Sequence, residues 1–319
     1  MGRGFVPVSL VVALSGGIGG AKLALGLSRV LPAEELLIVA NTGDDFEHLG
    51  LSIAPDIDTL MYTLAGVANP ETGWGRRDET WSFMAALEEL GSETWFRLGD
   101  RDLATHVERT RRLRAGESLS AVTADLCRKL GVAPRILPMS DDPVRTRVLT
   151  EADWIDFQDY FVRQQCRPVV RRLAFAGADA ARAHPDFLAA LRRPDLRAVV
   201  ICPSNPFISI EPVLSLSGVR DALASCAAPV IAVSPIIGGR AVKGPTAKMM
   251  TELGLSVSAA TVAERYADFL DGYVVDHEDA RSVEHIATRV FLADTLMTTL
   301  DDRETLARVA LAAADELRR

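Results

Sequence analysis

No run of the sequence is apolar for the roughly 20 consecutive residues that a membrane-spanning helix needs, so a membrane partner is not expected. The opening MGRGFVPVSLVVALSGG carries one Arg and a short apolar run that enters a glycine turn without a cleavage pattern, and it is not read as a targeting signal. Cysteine is scarce and scattered. Cys127, Cys166, Cys202 and Cys226 form no C-x-x-C pair, which argues against a zinc site or a disulfide framework and implies buried thiols in a reducing cytoplasm. Positive charge is in deficit: 35 Lys and Arg stand against 43 Asp and Glu, a net charge of -8 that argues against a general nucleic-acid surface. Any phosphate must therefore be met by a focused pocket. What the 319 residues do have is apolar content, 48%, enough for a large core.

The most informative stretch is Val8 to Lys22, VSLVVALSGGIGGAK. A β-branched run breaks into glycines and resumes as AKLALGLSRVL with Leu23, Leu27 and Val30 at helical spacing, so strand, glycine turn and helix are expected. Amide groups opening such a helix suit phosphate oxygens; tight strand-to-helix packing is the alternative. The dinucleotide fingerprint fails, because Lys22 stands where its third glycine belongs. The nucleoside-triphosphate loop fails as well, since Leu23 follows Lys22.

Glu35 to Asn41 reads as a second buried strand that runs into Thr42-Gly43-Asp44-Asp45, and Pro55-Asp56-Ile57-Asp58-Thr59 opens the helical LMYTLAG. Carboxylates at strand ends suit Mg²⁺, which takes one or two of them and keeps its other positions for water and phosphate. Helix capping by Asp56 or Asp58 is the plainer alternative. Further on, GWGRRDETW places Trp74 and Trp81 among charges, able either to stack on a planar heterocycle or to pack a loop over the core. WFRLGDRD reads as a charged turn, with two helices after it; His106 lacks metal-ligand partners at suitable spacing and is expected to face a helix neighbour or solvent. RTRVLT and WIDFQDYFV read as strands or a hairpin, and RQQCRPVVRR as a solvated basic face.

Short apolar runs return at LAFAG, AVVICP and PVIAVS, separated by helical lengths as β-α repetition predicts. They lead to Ser204-Asn205-Pro206, to Ser234-Pro235-Ile236-Ile237-Gly238-Gly239 and to Lys243-Gly244-Pro245. Polar groups at the same sheet edge as the glycine turn make a nucleotide-sized crevice, although Asn, Pro and Gly are also ordinary turn formers. The expected organisation is one α/β unit, residues 1–319, with a Rossmann-like, mostly parallel sheet flanked by helices and a smaller helical and β region inserted at roughly 60–170.

Taken together, SGGIGGAKL, NTGDD, PDIDTLMYTL, GWGRRDETW, LGDRDLATH, LPMSDDPVRT, PSNPFISI, VSPIIGGRAVKGP and ADTLMTTL resemble the 2-phospho-L-lactate transferase family, the CofD-like enzymes of coenzyme F-420 assembly. The resemblance spans nearly the whole chain. It implies transfer of a phosphorylated three-carbon acid from a guanosine-diphosphate-activated donor to the terminal ribityl hydroxyl of the deazaflavin Fo, with release of GMP, in a homodimer. It implies Asp44 and Asp56 as Mg²⁺ ligands, Asp58 and Arg97 in the region that receives Fo, and Gly16, Gly17, Gly19 and Gly20 against phosphates, with Lys22 beside them. Ser204, Asn205, Pro235, Gly238 and Lys243 line the guanosine side on the same grounds. Displacement at a diphosphate calls for alignment and charge neutralisation, with Asp58 or Asp45 to accept the hydroxyl proton. Phospholactate, phosphoenolpyruvate and phosphoglycerate remain alternative acids. The competing reading is a YvcK-like regulatory protein that binds a nucleotide sugar without catalysis. An NAD-dependent oxidoreductase is disfavoured by the defective fingerprint.

Overall fold

Six residues of the first apolar run form a strand buried along its whole length, in a computed structural model that describes residues 9–242 and 244–318. The strands of the main sheet are β1 (Leu10–Ser15), β2 (Leu36–Ala40), β3 (Arg135–Pro138), β4 (Leu196–Ile201), β5 (Val230–Val233), β6 (Gly272–Asp276) and β7 (Arg289–Ala293). Their order is β7-β6-β5-β4-β1-β2-β3, and every neighbouring pair is parallel. In β1, Val12 and Leu14 enter the core on one side of the sheet while Val11 and Ala13 enter the core on the other. Burial on both faces is why the strand reads as a continuous apolar run without alternation. Succession along the sheet reverses between β1 and β4. In open α/β sheets the loops leaving the strands at such a point diverge and leave a crevice.

Four helices matter most: α1 (Gly17–Val30), α2 (Pro55–Leu64), α3 (Asp100–Arg114) and α4 (Leu300–Leu317). Helix α1 packs against both α2 and α4. Gly26 makes the second contact close, because a Cβ there would overlap the backbone carbonyl of Arg303. No helix among the described residues is long and apolar enough to cross a membrane. The four cysteines are free thiols, and burial pushes Cys127 and Cys202 up to about 12.

The sheet is wholly parallel, and the region expected to be a single insertion is divided. Between β2 and β3 the chain adds a small hairpin (Phe46–His48 with Leu51–Ile53), α2, the helix Ser82–Glu89, α3 and the helix Leu119–Lys129. Residues 135–138 then rejoin the main sheet beside β2. A three-stranded antiparallel sheet follows, from Arg145–Leu149, Trp154–Asp156 and Arg172–Ala176. Arg172–Ala176, expected in the parallel sheet from its LAFAG core, therefore pairs elsewhere; its side chains are half-buried or exposed, unlike those of β1. The charged turn expected at 95–102 passes at Asp100 into the first turn of α3, with Asp100 and Asp102 at the positive end of the helix dipole.

Replacing Gly26 with Val should lower stability by about 1–3 kcal/mol through overpacking. Chemical denaturation of the variant against the parent checks this, and an unchanged midpoint would contradict the close α1–α4 approach.

Candidate active site

The loops at the carboxyl ends of β1, β2, β4 and β5 border a cavity of about 670 Å³. Its lining includes Gly16, Gly17, Gly19, Lys22, Asp44, Asp56, Asp58, Arg97, Ser204, Asn205 and Pro235. Segments far apart in sequence thus meet on one crevice at the point where the strand order reverses.

The bend between β1 and α1 is organised by a carboxylate. Asp56, on the first turn of α2 directly after Pro55, accepts from the Gly17 amide at 2.7 Å and from the Asn41 side chain at 2.8 Å. Gly16 donates its amide to Ser204 Oγ at 3.3 Å. These two amides, expected to be available for phosphate, are therefore engaged within the protein. The next two helix-opening residues, Ile18 and Gly19, line the cavity, and amides at those helix positions have no intrahelical partner. Gly19 passes so close to the Pro203 carbonyl that a Cβ would overlap it. Gly20 does not reach the cavity. It is a packing glycine, since a Cβ there would lie 2.5 Å from Ser15 Oγ and 2.7 Å from Ser204 Oγ.

Asn41, which the sequence reading took only as the end of a strand, joins the segments. Buried completely, it donates to Asp56 and to the Ile208 carbonyl at 3.1 Å, and its side-chain oxygen accepts from the Gly43 amide at 2.8 Å. Asp44 lies on the same loop. Burial, reinforced by the neighbouring Asp56 and Asp45 carboxylates, holds its carboxyl well above the usual range. Its Oδ1 is buried and accepts no hydrogen bond among the described residues. Asp56 is raised too, chiefly by burial, against which the Asn41 and Gly17 contacts act. A buried oxygen without a donor, next to a second carboxylate, is a place for a cation. Among the described residues no three His, Cys, Asp or Glu side chains form a metal cage. Two carboxylates suit an ion that keeps positions open, as Mg²⁺ does.

Asp45 does not join them: it lines a second, smaller cavity of about 230 Å³ together with Arg109 and Arg145. Its place behind the loop removes it as an acceptor for a proton in the main cavity. Asp58 does line the main cavity, but both of its oxygens accept from the buried guanidinium of Arg109. His106 is buried beside them and faces its helix neighbours, 3.3 Å from Asp102 through Nε2 and 3.2 Å from Arg109 Nη1 through Nδ1. Like Tyr62 and Asp102 it borders the cavity, which the spacing of a lone histidine did not reveal.

Aromatic rings form another wall. Trp95 and Phe96 pack with Phe46 and His48, and Phe157 stacks on Phe161 at 5.3 Å; Trp95, Phe96, Phe157 and Phe161 line the cavity. Of the two tryptophans in GWGRRDETW, Trp74 reaches the cavity, while Trp81 lies under the Arg97 guanidinium at 4.3 Å. In the basic stretch, Arg163 pairs with Glu93 and Arg171 with Glu151, as a solvated face should.

On the β4 and β5 side, Ser204 and Pro235 border the cavity, and Lys22 Nζ donates to the Met297 carbonyl at 2.7 Å. Asn205 also borders it, but its side-chain oxygen caps the turn after β4 by accepting from Phe207 at 2.9 Å. Gly238 is set back from the cavity because its amide is held by Asp279 at 2.9 Å. Lys243 lies outside the described residues.

The chain is 41% identical to a phosphoenolpyruvate transferase of Streptomyces griseus subsp. griseus over 317 residues, 97% of this chain and 99% of that one. It is 39% identical to a 2-phospho-L-lactate transferase of Methanosarcina mazei over 306 residues, 95% of this chain and 100% of that one. Among solved structures, a protein member of the UPF0052 family from Bacillus halodurans shares the fold, with a TM-score of 0.65 at 12% identity over 95% of this chain and 98% of that one. The family model described as 2-phospho-L-lactate transferase CofD matches residues 11–312, and the chain belongs to that family.

Proposed function

We propose that the chain transfers a phosphorylated three-carbon acid, phospholactate or phosphoenolpyruvate, from a guanosine-diphosphate-activated donor to the deazaflavin Fo, releasing GMP and contributing to coenzyme F-420 assembly. The observation that carries this is the single cavity on which the glycine bend, the Asp44 and Asp56 carboxylates, the ends of β4 and β5 and an aromatic wall all open. The relatives named for phosphoenolpyruvate and phospholactate transfer extend over the same length of chain.

In this reading the terminal hydroxyl oxygen of Fo attacks the phosphorus that bears the acid, the bond from that phosphorus to the GMP oxygen breaks with its electron pair leaving on GMP, and the hydroxyl proton passes to the Asp58 carboxylate. Little covalent chemistry is required of the protein, so rate comes from alignment and from neutralising phosphate charge. Ile18 and Gly19, at the start of α1, present backbone amides and the positive end of a helix dipole to the donor. Trp95, Phe96 and Phe157 offer faces on which the deazaflavin ring stacks. Asp58, held by Arg109, receives the ribityl hydroxyl as a hydrogen-bond acceptor. Asp44 and Asp56 are the residues that would hold Mg²⁺, with Asn41 fixing Asp56. A bound Mg²⁺ supplies positive charge to the donor phosphates and to the leaving GMP.

Incubating the protein with Fo, Mg²⁺ and each guanylylated acid in turn, then weighing the products, should give one phosphoester adduct of Fo together with GMP. No adduct with any donor, or preference for a nucleotide sugar over Fo in a binding titration, would overturn the reading. Asp56→Asn should lower kcat by about 100-fold or more while Fo affinity, followed by deazaflavin fluorescence, stays within about threefold. Chelation with EDTA should abolish turnover and excess Mg²⁺ restore it; full activity in EDTA would exclude the ion.

A further inference from the structure

Helix α3 carries Asp102, His106 and Arg109 at positions i, i+4 and i+7, one face of a helix, and α2 carries Asp58 and Tyr62 four residues apart. These side chains form a buried polar seam. Arg109 is only 1% exposed, and its Nη atoms carry all the contacts that orient it: both donate to Asp58, and Nη1 also lies 3.4 Å from the Ser52 carbonyl and 3.2 Å from His106 Nδ1. Its Nε has no partner among the described residues. A guanidinium has no lone pair to offer, so His106 Nδ1 is the acceptor and the ring proton sits on Nε2. Nε2 faces Asp102 Oδ1 at 3.3 Å, and the Tyr62 hydroxyl donates to that same oxygen at 2.7 Å. Nε2 makes no hydrogen bond among the described residues, so the tautomer of His106 is set by the Arg109 contact at Nδ1.

We infer that His106 is a positioning residue for the acceptor: its Nδ1 lone pair holds the Arg109 guanidinium in the orientation that presents the Asp58 carboxylate to the cavity. This rests on the transferase reading above, in which Asp58 receives the Fo hydroxyl. A residue that only filled space or only paired with Asp102 would act through Nε2, and the two roles separate on substitution. The side-chain amide of asparagine reaches the place of Nδ1, and that of glutamine the place of Nε2.

In the full-length protein, His106→Asn should keep kcat/KM for Fo within about fivefold of the parent, whereas His106→Gln should lose about 100-fold with the donor KM unchanged. Arg109→Lys, which keeps the charge but not the two-pronged contact, should lose Fo kcat/KM in the same way. Nitrogen-detected NMR of the Arg109 guanidinium provides a readout independent of turnover: resolved Nη signals should persist in the parent and in His106→Asn and merge in His106→Gln. Equal losses in the two His106 variants, a more active His106→Gln, unchanged Fo kinetics in Arg109→Lys, or resolved Nη signals in His106→Gln would each overturn the inference. Failure of the parent to use Fo would instead count against the transferase reading, and the NMR comparison would still decide the role of His106.

Discussion

The Asp56 carboxylate is the knot of this structure. One oxygen accepts the first amide of α1 and the other the Asn41 side chain, so a single residue on α2 ties the exit of β1 to the exit of β2. Asn41 extends the tie to the backbone after β4 through the Ile208 carbonyl. Such bonds to a charged acceptor in a buried setting are stronger than neutral ones, and the positive end of α1 adds to them. The arrangement leaves Asp44 nearby as a carboxyl whose burial and like-charged neighbours raise it, an imbalance that a cation relieves.

Around that knot the two halves of the site have different origins. The parallel sheet contributes the glycine bend and the loops after β4 and β5, the ordinary ligand edge of a doubly wound fold. The segment between β2 and β3 contributes α2, α3 and much of the aromatic wall. Within that segment, α2 and α3 are fastened to each other by the seam of Asp58, Arg109, His106, Asp102 and Tyr62. Burial pushes Asp102 upward, but contact with His106, Tyr62 and Arg109 outweighs it and holds the carboxyl below its usual range. A buried ion pair of this kind adds little stability over an apolar pair, yet leaving one partner alone is costly, so the seam specifies geometry more than it stabilises.

Legibility in the sequence followed the range of the interactions. The strand, bend and helix at residues 10–30 were readable because apolar period and glycine content are local. The pairing of NTGDD with PDIDT was readable because both motifs sit beside predictable strand and helix ends. Asn41 and Arg109 were not, since their importance comes from partners 15 to 167 residues away; His106 touches neighbours three and four residues off on its own helix and gains its place only through the distant Asp58 that Arg109 holds. Gly20 and Gly238 show the converse: glycines in suggestive motifs whose neighbours proved to be Ser15 and Ser204 in one case and Asp279 in the other.

By itself the sequence determined the class of fold, the bend and the acidic strand-end motifs, because hydrophobic period and backbone permissiveness act over a few residues. Only the tertiary structure decided which amides are already engaged, which side of its loop Asp45 faces, that β3 returns to the sheet inside the expected insertion, and that Asp58 is held by a guanidinium. Those outcomes depend on side chains meeting across elements, where direction and desolvation choose among partners that spacing along the chain leaves equivalent.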